Sequence, residues 1–220
     1  MPKITSVEPQ KKNLRRFNVY LDGEFAFGAD EDLVVNKRLV VGKEISKEDL
    51  EKILFEAEVG KLMERMYGWF SLRQHSEAEV RQYFRIKNQE SRIKDKEPIS
   101  QLVIDATIET LKKKGMVNDL EFAKAWVEAR RKSRQKGIRA IKSELFQKGI
   151  DKEIIEKVIS DTRYEISEEE LAKQALEKKI KYWKNLDPKK LYQKSIEFLL
   201  RKGFDYEVVK SVIEKVIKKE

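Results

Sequence analysis

The chain has 220 residues, of which 40% are apolar and 40% charged, and its formal net charge is +9. This apolar content excludes wholesale disorder, and only nine glycines and four prolines interrupt the chain, which favours long helices. The absence of cysteine excludes disulfides, thiolate nucleophiles and cysteine-bound zinc.

No stretch has the apolar run of a secretory signal or of a membrane span. The sequence therefore predicts a soluble, cytoplasmic protein without membrane contact.

Residues 1–45 predict a small β element. The stretch RFNVYLDGEFAFGA alternates apolar and polar residues around Asp22-Gly23, a dipeptide favoured in type I′ hairpin turns. The run from Ile4 to Val7 is a candidate third strand, and residues 32–45 predict a short helix and a return. Because a hairpin is marginally stable alone, this element must pack on another one.

From Ser46 onward the pattern is helical. Ser46, Ser76 and Ser167 each precede an acidic residue by three positions, which is the capping-box arrangement. Asp187-Pro188 is typical of an N-cap followed by proline at the first helical position. These signals predict four helix starts.

Apolar residues recur at helical spacing between these starts, which predicts a buried stripe on each helix. Two such sets are Phe122, Trp126, Ala129 and Ile141, Leu145, Phe146. A denser aromatic group could be a platform for nucleobases or part of the core, and its helical spacing favours the core. It consists of Tyr67, Trp69, Phe70, Tyr83 and Phe84.

The second half contains an internal repeat. The stretch ELFQKGIDKEIIEKVIS (144–160) aligns with FLLRKGFDYEVVKSVIE (198–214), and both predict a helix that ends at a left-handed glycine before an Asp caps the next helix. A weaker copy at 79–88 has Asn88 at the glycine position, where asparagine is the next best residue. Three copies predict a stacked helical array.

The predicted fold is therefore mainly α, with three tandem three-helix repeats in an elongated array and a small N-terminal β-hairpin element. The predicted boundaries are 1–45 for the β element and 46–115, 116–165 and 166–220 for the repeats. The charged connector 89–100 is the segment most expected to be mobile.

No group of residues predicts an active site. His75 is the single histidine, and it is expected to be a loop residue without a catalytic role. A faint phosphate-loop pattern fails because Lys37 stands where glycine is required. The carboxylates of 168–170 occupy a helix start, where their negative charge interacts favourably with the positive end of the helix dipole. We expect no catalytic activity, no cofactor and no metal.

Positive charge is concentrated in the middle of the chain. Residues 111–150 contain twelve Lys or Arg against four Asp or Glu. The densest group is Arg130, Arg131, Lys132, Arg134, Lys136, Arg139 and Lys142. A helix C-terminus stabilises two or three cations, so seven indicate a polyanionic ligand. The alternative is a solvated helix end.

Arg130, Arg131, Arg134 and Lys136 fall between the predicted apolar stripes. Charge reversal at these four positions is therefore expected to weaken polyanion binding and to leave folding intact.

The stretch DLEFAKAWVEARRKSRQKGIRAIKSELFQKGI (119–150) resembles the central motif of the RecX family, regulators of the RecA recombinase. SLRQHSEAEVRQYF (71–84) resembles the family's other recurrent segment, and KKNLRRFNVYLDGEFAFGAD (11–30) is similar to the β extension of Gram-positive members. The chain departs from the family at Ile138, where proline is common, and at Trp126, where tyrosine is common.

The resemblance implies a non-enzymatic protein that binds in the groove of the RecA–DNA filament and inhibits ATP hydrolysis and strand exchange. It places the protein in DNA repair, homologous recombination and the SOS response. The expected partners are the RecA filament and single-stranded DNA, with double-stranded DNA left open, and the expected state is a monomer. Two alternatives remain: a DNA-binding protein that acts without RecA, and a scaffold whose basicity only confers solubility.

Overall fold

The computed structural model describes residues 1–160, 166–183 and 186–217. In these ranges the chain divides into two compact units, one formed by Met1–His75 with Val80–Val117 and one by Ser76–Glu79 with Asn118–Glu220. The first unit holds the strands β1 (Ile4–Gln10), β2 (Asn13–Leu21) and β3 (Glu24–Asp30) and the helix α1 (Glu31–Asn36). The larger helices are α2 (Lys47–Phe70), α3 (Glu77–Ile93), α4 (Gln101–Lys113), α5 (Asp119–Arg134), α6 (Ile138–Gln147), α7 (Lys152–Ser160), α8 (Glu168–Ile180), α9 (Pro188–Arg201) and α10 (Tyr206–Val216).

The N-terminal element is a three-stranded antiparallel sheet in the order β1-β2-β3. Asp22 and Gly23 have φ of 51° and 90°, so the predicted hairpin turn is confirmed. The predicted third strand is also confirmed, although it extends to Gln10. Val19 on the central strand pairs with Val7 on one side and Phe27 on the other, which gathers one apolar face of the sheet.

The long helix α2 connects this sheet to the first helical core. Its Ile53 and Ala57 are buried with the apolar face of the sheet. Further along, Leu62, Met63 and Met66 are buried in a second cluster with residues of α3 and α4. Because one continuous helix supplies both cores, the sheet gains the packing partner that a small β element needs.

Each set of three helices has its own core, which confirms the three-helix repeats. The helices α2 to α4 share the cluster around Phe84 and Ile108. The helices α5 to α7 share a cluster around Val127 and Leu145, and α8 to α10 share one around Leu199. Four members of the aromatic group contribute to that core, as expected: Phe84 is fully buried and Trp69, Phe70 and Tyr83 pack against it. The prediction is wrong for Tyr67, which is 44% exposed on α2.

The predicted helix starts are confirmed by their hydrogen bonds. The side chains of Ser46 and Ser167 accept from the backbone N–H groups three residues on. The hydroxyl of Ser76 accepts from Glu79 N–H at 3.2 Å. Asp187 caps α9, whose first residue is Pro188. Local capping chemistry therefore defines these helix boundaries.

Several details of the sequence prediction are wrong. Asn88 does not end its helix, because α3 continues to Ile93 and the Asn88 side chain instead bonds to the backbone of Ile99. The polar connector is consequently shorter than 89–100. Ala129 and Phe146 are exposed, since the cores of α5 and α6 use narrower faces centred on Val127 and Leu145.

The two repeated glycines adopt the predicted left-handed conformation, with φ of 72° at Gly149 and 85° at Gly203. Both also lie against another backbone segment of the second unit. A Cβ at Gly149 would overlap the Cβ of Ala78, and one at Gly203 would overlap the backbone of Ala140. Glycine is therefore required here for its conformation and for its size.

We expect Gly203→Ala to lower the melting temperature more than Gly115→Ala. Both positions have positive φ, which costs alanine about 1–2 kcal/mol, but a Cβ at Gly115 meets no atom within 4 Å. Gly68 lies inside α2 with similar free space, so Gly68→Ala should stabilise the chain by about 0.5–1 kcal/mol. Circular dichroism melts measure all three variants. An equal decrease in melting temperature for Gly203→Ala and Gly115→Ala would show that the close approach of Gly203 to Ala140 does not add to the cost of the substitution.

Candidate polyanion-binding surface

The seven predicted cations lie at the C-terminal end of α5, in the turn that follows, and at the start of α6. The turn reverses at Gln135, whose φ is 47°, and the N–H of Lys136 donates to the carbonyl of Arg130 at 3.2 Å. This local geometry brings the end of one helix beside the start of the next. The structure therefore places the seven residues in one region. The hydrogen bonds and ion pairs of their side chains differ from one residue to the next.

Glu144 of α6 gathers two of these cations. Its carboxylate accepts from Arg130 Nε at 2.7 Å, from Trp126 Nε1 at 2.8 Å and from Lys136 Nζ. The guanidinium of Arg130 also lies 4.0 Å from the centre of the Trp126 ring. Burial tends to raise the pKa of Glu144, but the hydrogen bonds from Lys136, Arg130 and Trp126 outweigh it and hold this pKa below its ordinary value.

Arg131 is buried, which the sequence did not predict. Its guanidinium donates to the carboxylate of Glu168 and to the backbone carbonyl of Ile166, both at 2.5 Å. Glu168 is the first residue of α8 and Ile166 lies two residues before it, both in the third repeat. The expectation that charge reversal at Arg130, Arg131, Arg134 and Lys136 would leave folding intact is therefore wrong for Arg131, because a carboxylate there would be buried beside Glu168.

The remaining predicted cations face solvent to different degrees. Lys142 pairs with Glu156 at 2.8 Å, and Arg139, whose side chain is 68% exposed, lies 3.7 Å from Asp205. Lys132 and Arg134 are exposed and form no side-chain ion pair within the described residues. The cations best placed to meet an external anion are therefore Lys132, Arg134 and Arg139.

A further cation, Lys202 at the end of α9, joins this region. Its ammonium donates to the carbonyl of Arg134 at 2.5 Å. Burial lowers the pKa of Lys202, and the charges of Lys136 and Lys178 lower it further. No carboxylate among the described residues forms an ion pair with it. The internal repeat contained the signal for this residue, because Lys202 aligns with Lys148.

An exposed aromatic also lies beside the cations. Phe146 on α6 is 72% exposed, and it follows Lys142 by four positions and Arg139 by seven. Residues at these intervals share one face of a helix. The helical-stripe prediction assigned Phe146 to the core, so its availability to a ligand was missed.

The single histidine and the acidic side chains of the described residues are the candidates for catalysis or metal binding. His75 lies in a loop, as expected, but it is buried and stacks on Trp69 with ring centres 3.6 Å apart. No group of metal-binding side chains is found in the described part of the chain. None of the described helices has the length and apolarity needed to cross a bilayer.

Three family models match the chain. They are the regulatory protein RecX N-terminal domain over residues 2–46, the second three-helix domain of RecX over 118–159, and the third over 167–213. A regulatory protein RecX of Bacillus subtilis is 36% identical over 98% of this chain and 78% of its own length. That of Bacillus pumilus is 35% identical over 97% and 77%. The chain belongs to the RecX family.

Two solved RecX structures resemble the fold. One crystal structure of regulatory protein RecX matches with a TM-score of 0.71 and 25% identity, covering all of both chains. A crystal structure of RecX from Lactobacillus salivarius matches with a TM-score of 0.56 and 21% identity, over 72% of this chain and 96% of that one. The second likeness concerns the fold alone.

The departure from the RecX motif at Ile138 has a structural consequence. Gly137 is the N-cap of α6 and provides no side-chain cap. The N–H of Ile138 donates to the carboxylate of Glu168 at 3.1 Å. Proline at this position would fit the first turn of a helix but has no N–H to donate. In this chain, Glu168 therefore bonds to both Arg131 and the start of α6.

We expect Glu144→Gln to lower the melting temperature at pH 7 and to reduce the pH dependence of stability. Because folding lowers the Glu144 pKa, the ionised carboxylate stabilises the fold above the unfolded pKa of about 4.3. This contribution is lost as pH falls through the lower folded pKa. The difference in melting temperature between wild type and variant should therefore become smaller as the pH falls.

Thermal melts at pH 7, 5 and 3 make the comparison. Glu156→Gln is the matched control, because Glu156 pairs with Lys142 at a more exposed site, where an ion pair contributes little. A gap for Glu144→Gln that is unchanged at pH 3 would contradict the role assigned to its charge.

Proposed function

We propose that the chain is a non-enzymatic regulator of RecA that binds the RecA–DNA filament and inhibits its ATPase and strand-exchange activities. Membership of the RecX family is the observation that carries this proposal. The relatives are named regulatory proteins, which supports a role without catalysis. The protein acts in the cytoplasm as a monomer, and its partners are RecA and single-stranded DNA.

The basic region supports this function because a filament groove presents DNA phosphates. The exposed cations Lys132, Arg134 and Arg139 and the partly buried Lys202 contact the polyanion directly. Arg130, Arg131, Lys136 and Lys142 hold the shape of this surface through Glu144, Glu168 and Glu156 and add to its positive potential. The seven predicted residues thus belong to one interface with two kinds of role.

Phe146 favours single-stranded DNA as part of the ligand. An exposed aromatic ring beside cations can stack on a nucleobase while the cations hold the backbone. The same feature fits the second candidate function, a DNA-binding protein that acts without RecA. The two candidates differ in whether RecA is needed for the effect.

The deciding experiment is a RecA ATPase assay on single-stranded DNA titrated with this protein. We expect inhibition at amounts of protein well below those that coat the DNA, and capture of RecA by the protein in a pull-down. Inhibition that appears only when the DNA is saturated, with no capture of RecA, would support the second candidate. No effect on RecA in either assay would overturn the proposal.

We expect the triple variant Lys132→Glu, Arg134→Glu, Arg139→Glu to fold normally and to lose most inhibition of RecA. Four phosphate contacts predict a slope near −3 for log affinity against log salt on single strands, at about 0.7 per contact. Loss of three contacts should make the slope shallower by about 2. Fluorescence anisotropy on labelled DNA measures it.

The control variant Lys189→Glu, Lys190→Glu, Lys194→Glu has the same change in net charge, at exposed positions on α9. It should retain the wild-type slope. Equal losses in the two variants would show that total charge, rather than this surface, determines binding.

A further inference from the structure

A second basic site lies in the first unit, in a hollow of about 430 Å³. Its walls come from α2, α3 and the connector before α4. Five cations from three segments line it: Lys61, Arg65, Lys87, Lys94 and Lys96. Three carboxylates also line it, those of Glu58, Glu90 and Glu97. The hollow therefore has an excess of two positive charges.

Most of these cations form no ion pair with the residues that the structure describes. Lys87 donates to Glu90 at 2.9 Å, and this hydrogen bond raises the pKa of Lys87 while the nearby charge of Arg65 opposes the rise. For Lys61, Arg65, Lys94 and Lys96, the described residues provide no carboxylate within ion-pair distance. The cations of the hollow outnumber its carboxylates by two, and an anion between these cations would reduce their mutual repulsion.

The connector wall of the hollow is held in place by hydrogen bonds. The side chain of Asn88 donates to the carbonyl of Ile99 at 2.9 Å and accepts from its N–H at 2.8 Å. The N–H of Lys96 donates to the carbonyl of Ser91 at 2.9 Å. The buried core residues Leu62 and Val103 form part of the lining. The backbone of this wall is thus held by hydrogen bonds before a ligand arrives, whereas the side chains of Arg65, Lys94 and Lys96 are exposed.

We propose that this hollow binds a phosphate group, with Arg65, Lys94 and Lys96 as its main ligands. A guanidinium can donate two parallel hydrogen bonds to phosphate oxygens, and the ammonium groups supply point charges. The volume lies in the range of small-ligand sites, about 300–1,000 Å³. One phosphate with one or two negative charges offsets the charge excess. This site goes beyond the function proposed above, because it requires neither RecA nor the basic surface of the second unit.

The phosphate could belong to a nucleic-acid backbone or to a free phosphate compound, and two measurements on the full chain separate these sources. One follows binding of labelled single-stranded DNA against salt without RecA. The other follows inorganic phosphate and ADP by ³¹P NMR. The test variant is Arg65→Gln, Lys94→Gln, Lys96→Gln. The control, Lys11→Gln, Lys12→Gln, Lys47→Gln, removes the same charge from exposed positions of the same unit.

For a backbone phosphate, we expect the test variant alone to show a shallower salt slope, by about 0.7 for one contact. For a free phosphate compound, the ³¹P signal of phosphate or ADP should shift with wild type and control but not with the test variant. If test and control variants behave alike in both measurements, the proposal is overturned. Should the triple variant lose its helical circular dichroism signal, the single change Lys96→Gln at an exposed position decides between the same outcomes.

Discussion

The start of α6 is the point on which the second unit depends. The first N–H groups of a helix need acceptors outside the helix, and Gly137 supplies none from a side chain. The third repeat supplies them: Glu168 accepts from Ile138, and the carbonyl of Gly203 accepts from Arg139 at 3.1 Å. The N–H of Gly137 in turn donates to the carbonyl of Lys202 at 2.9 Å. The second repeat therefore completes its hydrogen bonding only through the third.

A related junction occurs at Ser76, where α3 begins. Comparison of this junction with the one at the start of α6 explains the different ion pairing of Lys148 and Lys202. There the hydroxyl of Ser76 donates to the carbonyl of Lys148, and the ammonium of Lys148 pairs with Glu79 at 2.6 Å. In the repeat alignment, Ala140 occupies the position of Glu79. Lys202, the counterpart of Lys148, consequently lacks a carboxylate partner among the described residues and donates to the backbone carbonyl of Arg134. One substitution between repeats thus converts an internal ion pair into a cation beside the basic surface.

Local rules predicted the hairpin, the serine caps and the left-handed glycines, because each depends on residues within three or four positions. The partners of the cations could not be predicted in this way. Arg130 meets Glu144 and Arg131 meets Glu168, 37 positions away, so a charge count along the chain cannot separate paired cations from free ones. Phe146 was misassigned because helical spacing alone does not determine how wide a face a ten-residue helix buries.

Internal ion pairs also determine how much uncompensated positive charge the basic segment 130–142 carries. Glu144 neutralises only one of its two cations, so Arg130 and Lys136 together keep one positive charge in a defined position. Arg131 and Lys142 are each matched by a carboxylate, whereas Lys132, Arg134 and Lys202 form no ion pair with any carboxylate that the structure describes. Side chains already fixed by internal bonds lose little entropy when a ligand binds. The segment therefore combines cations held in place by carboxylates with a few that are unpaired within the described part of the chain.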